Sequence, residues 1–204
     1  KKNARNDVTK AKRENVIVKE ISTKNELINY KQLTKQWAKT KGIDLINTVN
    51  VDEDWLFLKN GIQKFFLAYQ ENEIVAGLRV GCFNNIVYTH QVLNSYSKIG
   101  NVAGPLLTWN AIEWAKNNGM KIYDFSGGEA PPSTEKNMKK YDEQWGSLFS
   151  YKRKWGGDEV PYYHFIKIFN KDRYKLYRAL SKPDMFLRNY KKRHFKRPQE
   201  KSTN

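Results

Sequence analysis

The 204 residues are 39% hydrophobic and 14% aromatic, enough for one buried core and too apolar for a disordered chain. A single cysteine, Cys82, excludes an internal disulfide; the spacing of His90, His164 and His194 does not resemble a metal site, and no apolar run is long enough to span a bilayer. The net charge of +16 is uneven: residues 1–15 hold six Lys/Arg against two acids, residues 171–204 hold twelve against three, and the 19 cations between them face 16 acids.

In chain order, residues 1–15 are a basic lead-in, and Val16-Ile-Val-Lys-Glu-Ile21 reads as a short strand. Residues 23–41 predict a helix capped at Ser22/Thr23 and stopped by Gly42, and 52–60 a shorter helix before Gly61. Strands at 64–69, 73–83 and 85–93 follow, joined by "QENE" and "NN", so an antiparallel meander is expected. The next helix, 104–119, has Pro105 at its first helical position, places Leu107, Ala111, Trp114 and Ala115 on one face, and stops at Gly119. A buried strand at 120–125 ends in Ser126-Gly127-Gly128. After a polar stretch with Pro131 and Pro132 come a helix from Ser147 to Trp155, a stop at Gly156-Gly157 and a strand at 162–169. From 171 the pattern is a helix around 172–180, a break near Pro183 and a second basic, aromatic stretch. The order β, α, α, β, β, β, α, β, α, β predicts an α+β fold: a mixed, mostly antiparallel sheet flanked by helices, parallel in its later β-α-β part. The expected organisation is the lead-in helix 1–15, one domain over 16–170 and a basic tail over 171–204.

The stretch "FSYKRKWGG" (149–157) sets three cations between aromatics. At about 100° per residue, Leu148, Tyr151 and Trp155 share one helix face with Phe149 at its margin. Lys152 falls inside that apolar arc, while Arg153 and Lys154 point away. Such a lysine either packs its stem on Trp155 and sends its head to water, or holds negative charge in a poorly screened place. No nucleophile triad is visible, since Cys82 sits in mid-strand and no Ser or His spacing fits one.

The element order resembles that of a GNAT acyltransferase core, and three segments narrow the resemblance. "KKNARNDVTKAKRENVIVKEI" is similar to the basic helix and first strand that open the second domain of Fem-type aminoacyltransferases (FemX, FemA, FemB). "LLTWNAIEWAKNNGMKIYDFSGG" resembles their helix, strand and glycine turn. "GSLFSYKRKWGGDEV" resembles their Gly-to-Phe-Lys-x-x-Phe-Gly segment, with Tyr151 and Trp155 where the family usually has Phe. The resemblance covers residues 1–180 and one of the two GNAT-like domains that family members carry. It therefore implies an upstream GNAT-like domain as neighbour, toward which the basic first helix and the tail would face; a start at Lys1 inside a basic segment is what a piece of a longer protein would show.

What the resemblance implies is transfer of an aminoacyl group from aminoacyl-tRNA, with no separate cofactor, to an amine of a peptidoglycan precursor peptide. The family's lysine in this motif maps onto Lys152, which is then expected to hold a tRNA phosphate or the developing oxyanion, with Arg153 beside it as a substrate-binding candidate. Asp124, at a strand end before paired glycines, either orients an amine or substrate hydroxyl or caps the turn. Gly127 and Gly128 let a donor approach the backbone closely, and Glu129 is a candidate base for the attacking amine or a solvated carboxylate. Tyr123, on the opposite side of the strand from Asp124, is expected in the core. In "SKIGNVAGP", Lys98 and the backbone from Gly100 to Gly104 either meet a phosphate at the helix N-terminus or merely start the helix. Enzymes of this fold that use acyl-CoA usually carry Gln/Arg-x-x-Gly-x-Gly/Ala here; Ser97 and Val102 depart from that pattern.

Two other readings stay open. One is an N-acyltransferase using acyl-CoA on a sugar, amine or polysaccharide precursor; the other is a non-catalytic module binding RNA or a partner through its basic ends. The single cysteine fits a reducing compartment, so a cytoplasmic location is expected. The basic aromatic residues of 184–197 suit contact with anionic lipid at the inner face of the membrane, where a lipid-linked acceptor would reside.

Overall fold

Two tight turns set the centre of the sheet. Glu71, Asn72, Asn84 and Asn85 have φ of 50, 70, 50 and 62°, the consecutive left-handed residues of a type I′ hairpin, which Asn adopts at little cost. They join β2 (Gln63–Gln70), β3 (Glu73–Phe83) and β4 (Ile86–Asn94) into the expected antiparallel meander. β1 (Ile17–Glu20) pairs antiparallel with β2, and β5 (Ile122–Asp124) pairs parallel with β4, giving the order β1-β2-β3-β4-β5. The computed structural model describes residues 4–41, 50–95, 99–127, 147–160 and 167–179. The unit Lys1–Asp158 holds this sheet, and the unit Glu159–Asn204 holds a helix at 171–179.

Local chemistry fixes the helices. α2 (Lys24–Lys41) opens with a capping box: Glu26 N–H donates to Thr23 Oγ1 at 3.2 Å and Thr23 N–H donates to Glu26 Oε2 at 3.0 Å. α3 (Val51–Lys59) opens at Asn50, whose side chain accepts from the N–H groups of Asp52 and Glu53. Both lie on one face of the sheet, over a core of Leu27, Tyr30, Leu33, Phe65, Leu67 and Leu93. α1 (Ala4–Arg13) and α4 (Gly100–Asn117) pack on the other face around Val8, Ala11, Phe66, Leu78, Leu107 and Ala111. The helix expected as a basic lead-in thus buries Ala4, Val8 and Ala11 and is built into the core.

Several boundaries differ from the expectation. α4 starts at Gly100, so Pro105 lies inside it. Gly100 makes this possible: it packs against the Ser95 carbonyl, where a Cβ would collide, and the missing N–H of Pro105 forfeits only one bond near the helix start. The stop at Gly119 is as expected: its φ is 73°, its N–H donates to Lys116 O at 3.2 Å, and Met120 N–H donates to Ala115 O at 3.0 Å, a Schellman motif. β5 is only Ile122–Asp124, and as the edge strand it leaves Ile122 54% exposed where a buried strand was expected. α5 (Ser147–Arg153) ends before Trp155, because Gly156 at φ 74° closes it; Leu148 is exposed, and Trp155 reaches the core from the following turn. Of the strand expected at 162–169, residues 167–169 are not in a strand and the rest lie outside the described residues. The stop at Gly42, the prolines at 131 and 132 and the tail beyond 179 also lie outside them. Among the described residues no helix is long and apolar enough to cross a membrane.

Candidate active site

β4 is irregular at its middle. Arg79 pairs with Gln91 and Val80 with Thr89, so His90 is an extra residue without a partner on β3. A bulge of this kind bends the strand and takes its extra residue out of the ladder. The His90 ring occupies the space over Gly81, where an added Cβ would run into Nε2. The rest of the ring remains exposed, yet the burial it does undergo, and then the charge of Arg79, lower its pKa below the ordinary 6.5.

On its other side β4 pairs with β5 only from Ile86 to Tyr88, against Ile122–Asp124. β4 continues for the six residues Thr89–Asn94, roughly 20 Å at strand rise, and no described strand lies along that stretch. At the far end of this open edge stands the start of α4. Gly100 abuts Ser95, a Cβ on Gly104 would come 2.9 Å from the Asn94 side-chain amide, and the N-cap residue Ile99 makes no side-chain capping bond.

At the near end the chain leaves β5 through a turn tied back to β4. Ser126 has φ 61°, its N–H donates to Asp124 Oδ1 at 2.7 Å, and its hydroxyl donates to the Thr89 carbonyl. Thr89 Oγ1 donates to the Tyr123 hydroxyl at 3.1 Å. Burial pushes Tyr123 up to about 12 despite that hydrogen bond. Lys152 of α5 closes the arrangement: its Nζ donates to Ser126 O at 2.5 Å and to Gly127 O at 3.0 Å. Burial lowers the Lys152 pKa from its ordinary value, and the carboxylate of Asp124 opposes that shift. α5 is anchored by Tyr151, whose hydroxyl is 2.9 Å from Thr108 Oγ1, and by Trp155, stacked at 5.8 Å on Phe125 and 6.2 Å from Tyr151 between ring centres.

Lys152, Asp124 and Gly127 thus come together at the turn after β5, and Gly100 and Gly104 stand at the other end of the open β4 edge. Asp124 caps the turn, one of the two roles the sequence left open. Lys152 is half-buried, whereas Arg153 and Lys154 are exposed, Lys154 pairing with Asp7 of α1 at 3.4 Å. Gly128, Glu129 and Lys98 lie outside the described residues. Cys82 is half-buried in β3, and burial raises its thiol pKa. The bulge at His90 and the roles of Thr89 and Ser126 escaped the sequence reading. The bulge shows in the packing: Val87 and Val92 reach the same core although they are five positions apart, an odd interval that an unbroken strand cannot place on one face.

No family model and no curated protein sequence matches the chain. Solved structures match its fold. An aminoglycoside acetyltransferase, meta-AAC0020, from an uncultured soil metagenomic sample and in complex with sisomicin, is 16% identical over 74% of this chain and 97% of its own, with a TM-score of 0.50. Another aminoglycoside acetyltransferase from an uncultured soil metagenomic sample, HMB0005, is 15% identical over 76% of this chain and 99% of its own, with a TM-score of 0.52. The chain accordingly has a GNAT-like α+β fold with a mixed, mostly antiparallel sheet; at these identities the likeness speaks for the fold alone.

Proposed function

We propose that the chain is an N-acyltransferase domain that holds an activated acyl group along the open edge of β4 and passes it to an amine. What carries this reading is that edge itself, along which no described strand lies, bounded by the bulge at His90 and the start of α4. Unpaired ladder groups on a sheet edge accept an extended arm bearing amides much as they accept an added strand. A helix N-terminus at its end, brought close by Gly100 and Gly104, presents N–H groups and the positive end of the helix dipole to a donor phosphate.

Chemistry is direct attack. The lone pair of the acceptor amine forms the C–N bond, the acyl oxygen carries the negative charge of the tetrahedral intermediate, and the C–S or C–O bond to the donor then breaks. The leaving sulfur or oxygen takes up the proton that nitrogen loses, with Glu129 held as the candidate base. Lys152 directs two of its three N–H bonds at the carbonyls of Ser126 and Gly127. Its role in this reading is to fix the turn carrying Asp124 and to supply positive charge where negative charge develops.

Two donors fit, each on its own observation. An acyl-CoA thioester is favoured by the length of the open edge with a phosphate-ready helix start beyond it, and by the likeness to acetyltransferases in fold. An aminoacyl-tRNA, with a peptidoglycan precursor peptide as acceptor, is favoured by Lys152 on the glycine turn of the Fem-like segment, by Ser97 and Val102, and by twelve Lys/Arg in residues 171–204. The discriminating experiment supplies radiolabelled acetyl-CoA and, separately, radiolabelled aminoacyl-tRNA with a panel of amines, and counts label in amide product. Amide from either donor supports the domain-level reading and names the donor. Amide from neither, with tRNA binding that vanishes in high salt, would replace it with the RNA-binding module.

A further inference from the structure

The α2/α3 face of the sheet, beside the bulge, carries charge that the transfer chemistry above does not use. The carboxylate of Asp54 in α3 meets Lys31 of α2 and, at 3.4 Å, the Arg79 Nη2 of β3. Among the described residues two cations share one anion, which leaves one positive charge in excess there. The side chains of Lys31 and Asp54 are 5% and 7% exposed, while that of Arg79 is 23% exposed. Surplus charge this deep is costly unless an anion completes it, and Arg79 is the member an anion can reach.

Arg79 is also held in a fixed pose. Its Nε donates to the buried Gln63 Oε1 at 3.0 Å, and its guanidinium lies 5.6 Å from the Phe65 ring centre. Its cross-strand neighbour is Gln91, whose Oε1 accepts from the buried Tyr30 hydroxyl at 3.3 Å, an arrangement that leaves the Gln91 amide nitrogen as a donor. His90 immediately precedes Gln91 on the bulge, exposed and near enough to feel the Arg79 charge. A planar guanidinium with N–H groups to spare, an amide donor and an imidazole therefore lie close together at the point where β4 bends.

We propose that Arg79, Gln91 and His90 form a carboxylate-binding site that receives an acidic group of the acceptor, so that the acylated amine belongs to an amino-acid-like molecule. A planar carboxylate matches the guanidinium fork, and a polycationic acceptor would be repelled by the same surplus charge. That the bound molecule is an acceptor rests on the N-acyltransfer reading; the anion site does not.

The test compares ω-amino acids, from glycine to 6-aminohexanoate, with alkylamines of the same chain length, using the donor that supports transfer. At least one amino acid should have a KM roughly ten- to a hundred-fold below that of its alkylamine, the worth of a charge-assisted contact. In Arg79→Gln that ratio should collapse toward one, and Arg79→Lys should restore part of it. Equal KM values in the wild-type protein, or a ratio unchanged in Arg79→Gln, would overturn the site. A second arm needs no donor: glutarate binding is measured by calorimetry on the wild-type chain, Arg79→Gln and Gln91→Leu, with melting curves to verify folding. Binding weakened in both folded variants supports the site even when no donor gives amide, in which case the transfer reading alone falls. Glutarate that does not bind, or binds all three alike, overturns it.

Discussion

Replacing Asp54 by Ala should be among the most damaging single changes outside the apolar core. The substitution removes the only described anion paired with Lys31, whose side chain is 5% exposed, and with Arg79. Breaking a buried pair from one side costs about 3–5 kcal/mol, because the remaining charge stays desolvated. Asp54 also lies at the start of α3, near the N-cap Asn50, where a carboxylate gains up to about 1 kcal/mol from the helix dipole. Against a domain stability on the order of 5–15 kcal/mol, and an m-value of about 2 kcal/mol/M in urea, the urea midpoint should fall by about 1.5–3 M. The six tryptophans supply the fluorescence signal for the titration. The double variant Asp54→Leu with Lys31→Met should recover much of the loss, since it removes the stranded ammonium as well as its partner. A loss below about 1 kcal/mol for the single change, or a double variant no more stable than the single, would mean that solvent screens this cluster.

Other expectations follow from the same structure. Gly119→Ala should destabilise by roughly 1 kcal/mol, because φ of 73° at the helix C-terminus strains any residue with a Cβ; an unchanged urea midpoint would contradict this. Since the His90 pKa is lowered in the folded chain, its contribution is present above about 6.5 and is lost as pH falls through the folded value. His90→Gln should therefore flatten the acid limb of a stability-against-pH curve below that point, and an identical limb in both proteins counts against it. Lys152→Met removes both bonds to the turn carbonyls; amide formation should drop at least tenfold through kcat while the far-ultraviolet spectrum stays unchanged. Full activity in that variant would assign Lys152 to surface packing alone.

The parts of the fold that were legible in the sequence are those fixed by neighbours in the chain. Thr23 and Glu26 form their box within one helical turn, Asn84-Asn85 form their hairpin between adjoining strands, and Gly119 ends its helix by local hydrogen bonds. The inward lean of Lys152 belongs with these, because helical periodicity alone separates it from Arg153 and Lys154. The start of α4 was missed because it depends on a close approach between Gly100 and Ser95 in space, which outweighs the usual place of Pro105 at a helix start. Trp155 entering the core from a turn was missed for a related reason: tertiary packing with Phe125, not helical phase, decides its direction. Lys31, Asp54 and Arg79 come from three separate elements, and nothing local announces that they meet.

If the chain transfers acyl groups as proposed, an acyl donor lies along the open edge of β4, between the bulge and the start of α4. Amide hydrogen exchange on the whole chain, with and without a non-hydrolysable coenzyme A thioester analogue and separately an aminoacyl-adenosine ester mimic, tests it directly. One of the two donors should slow exchange over residues 89–94 and 99–103, with a smaller effect at the turn of Ser126 and Gly127. Protection by neither donor along β4, or protection confined to the basic residues beyond 171, would contradict it.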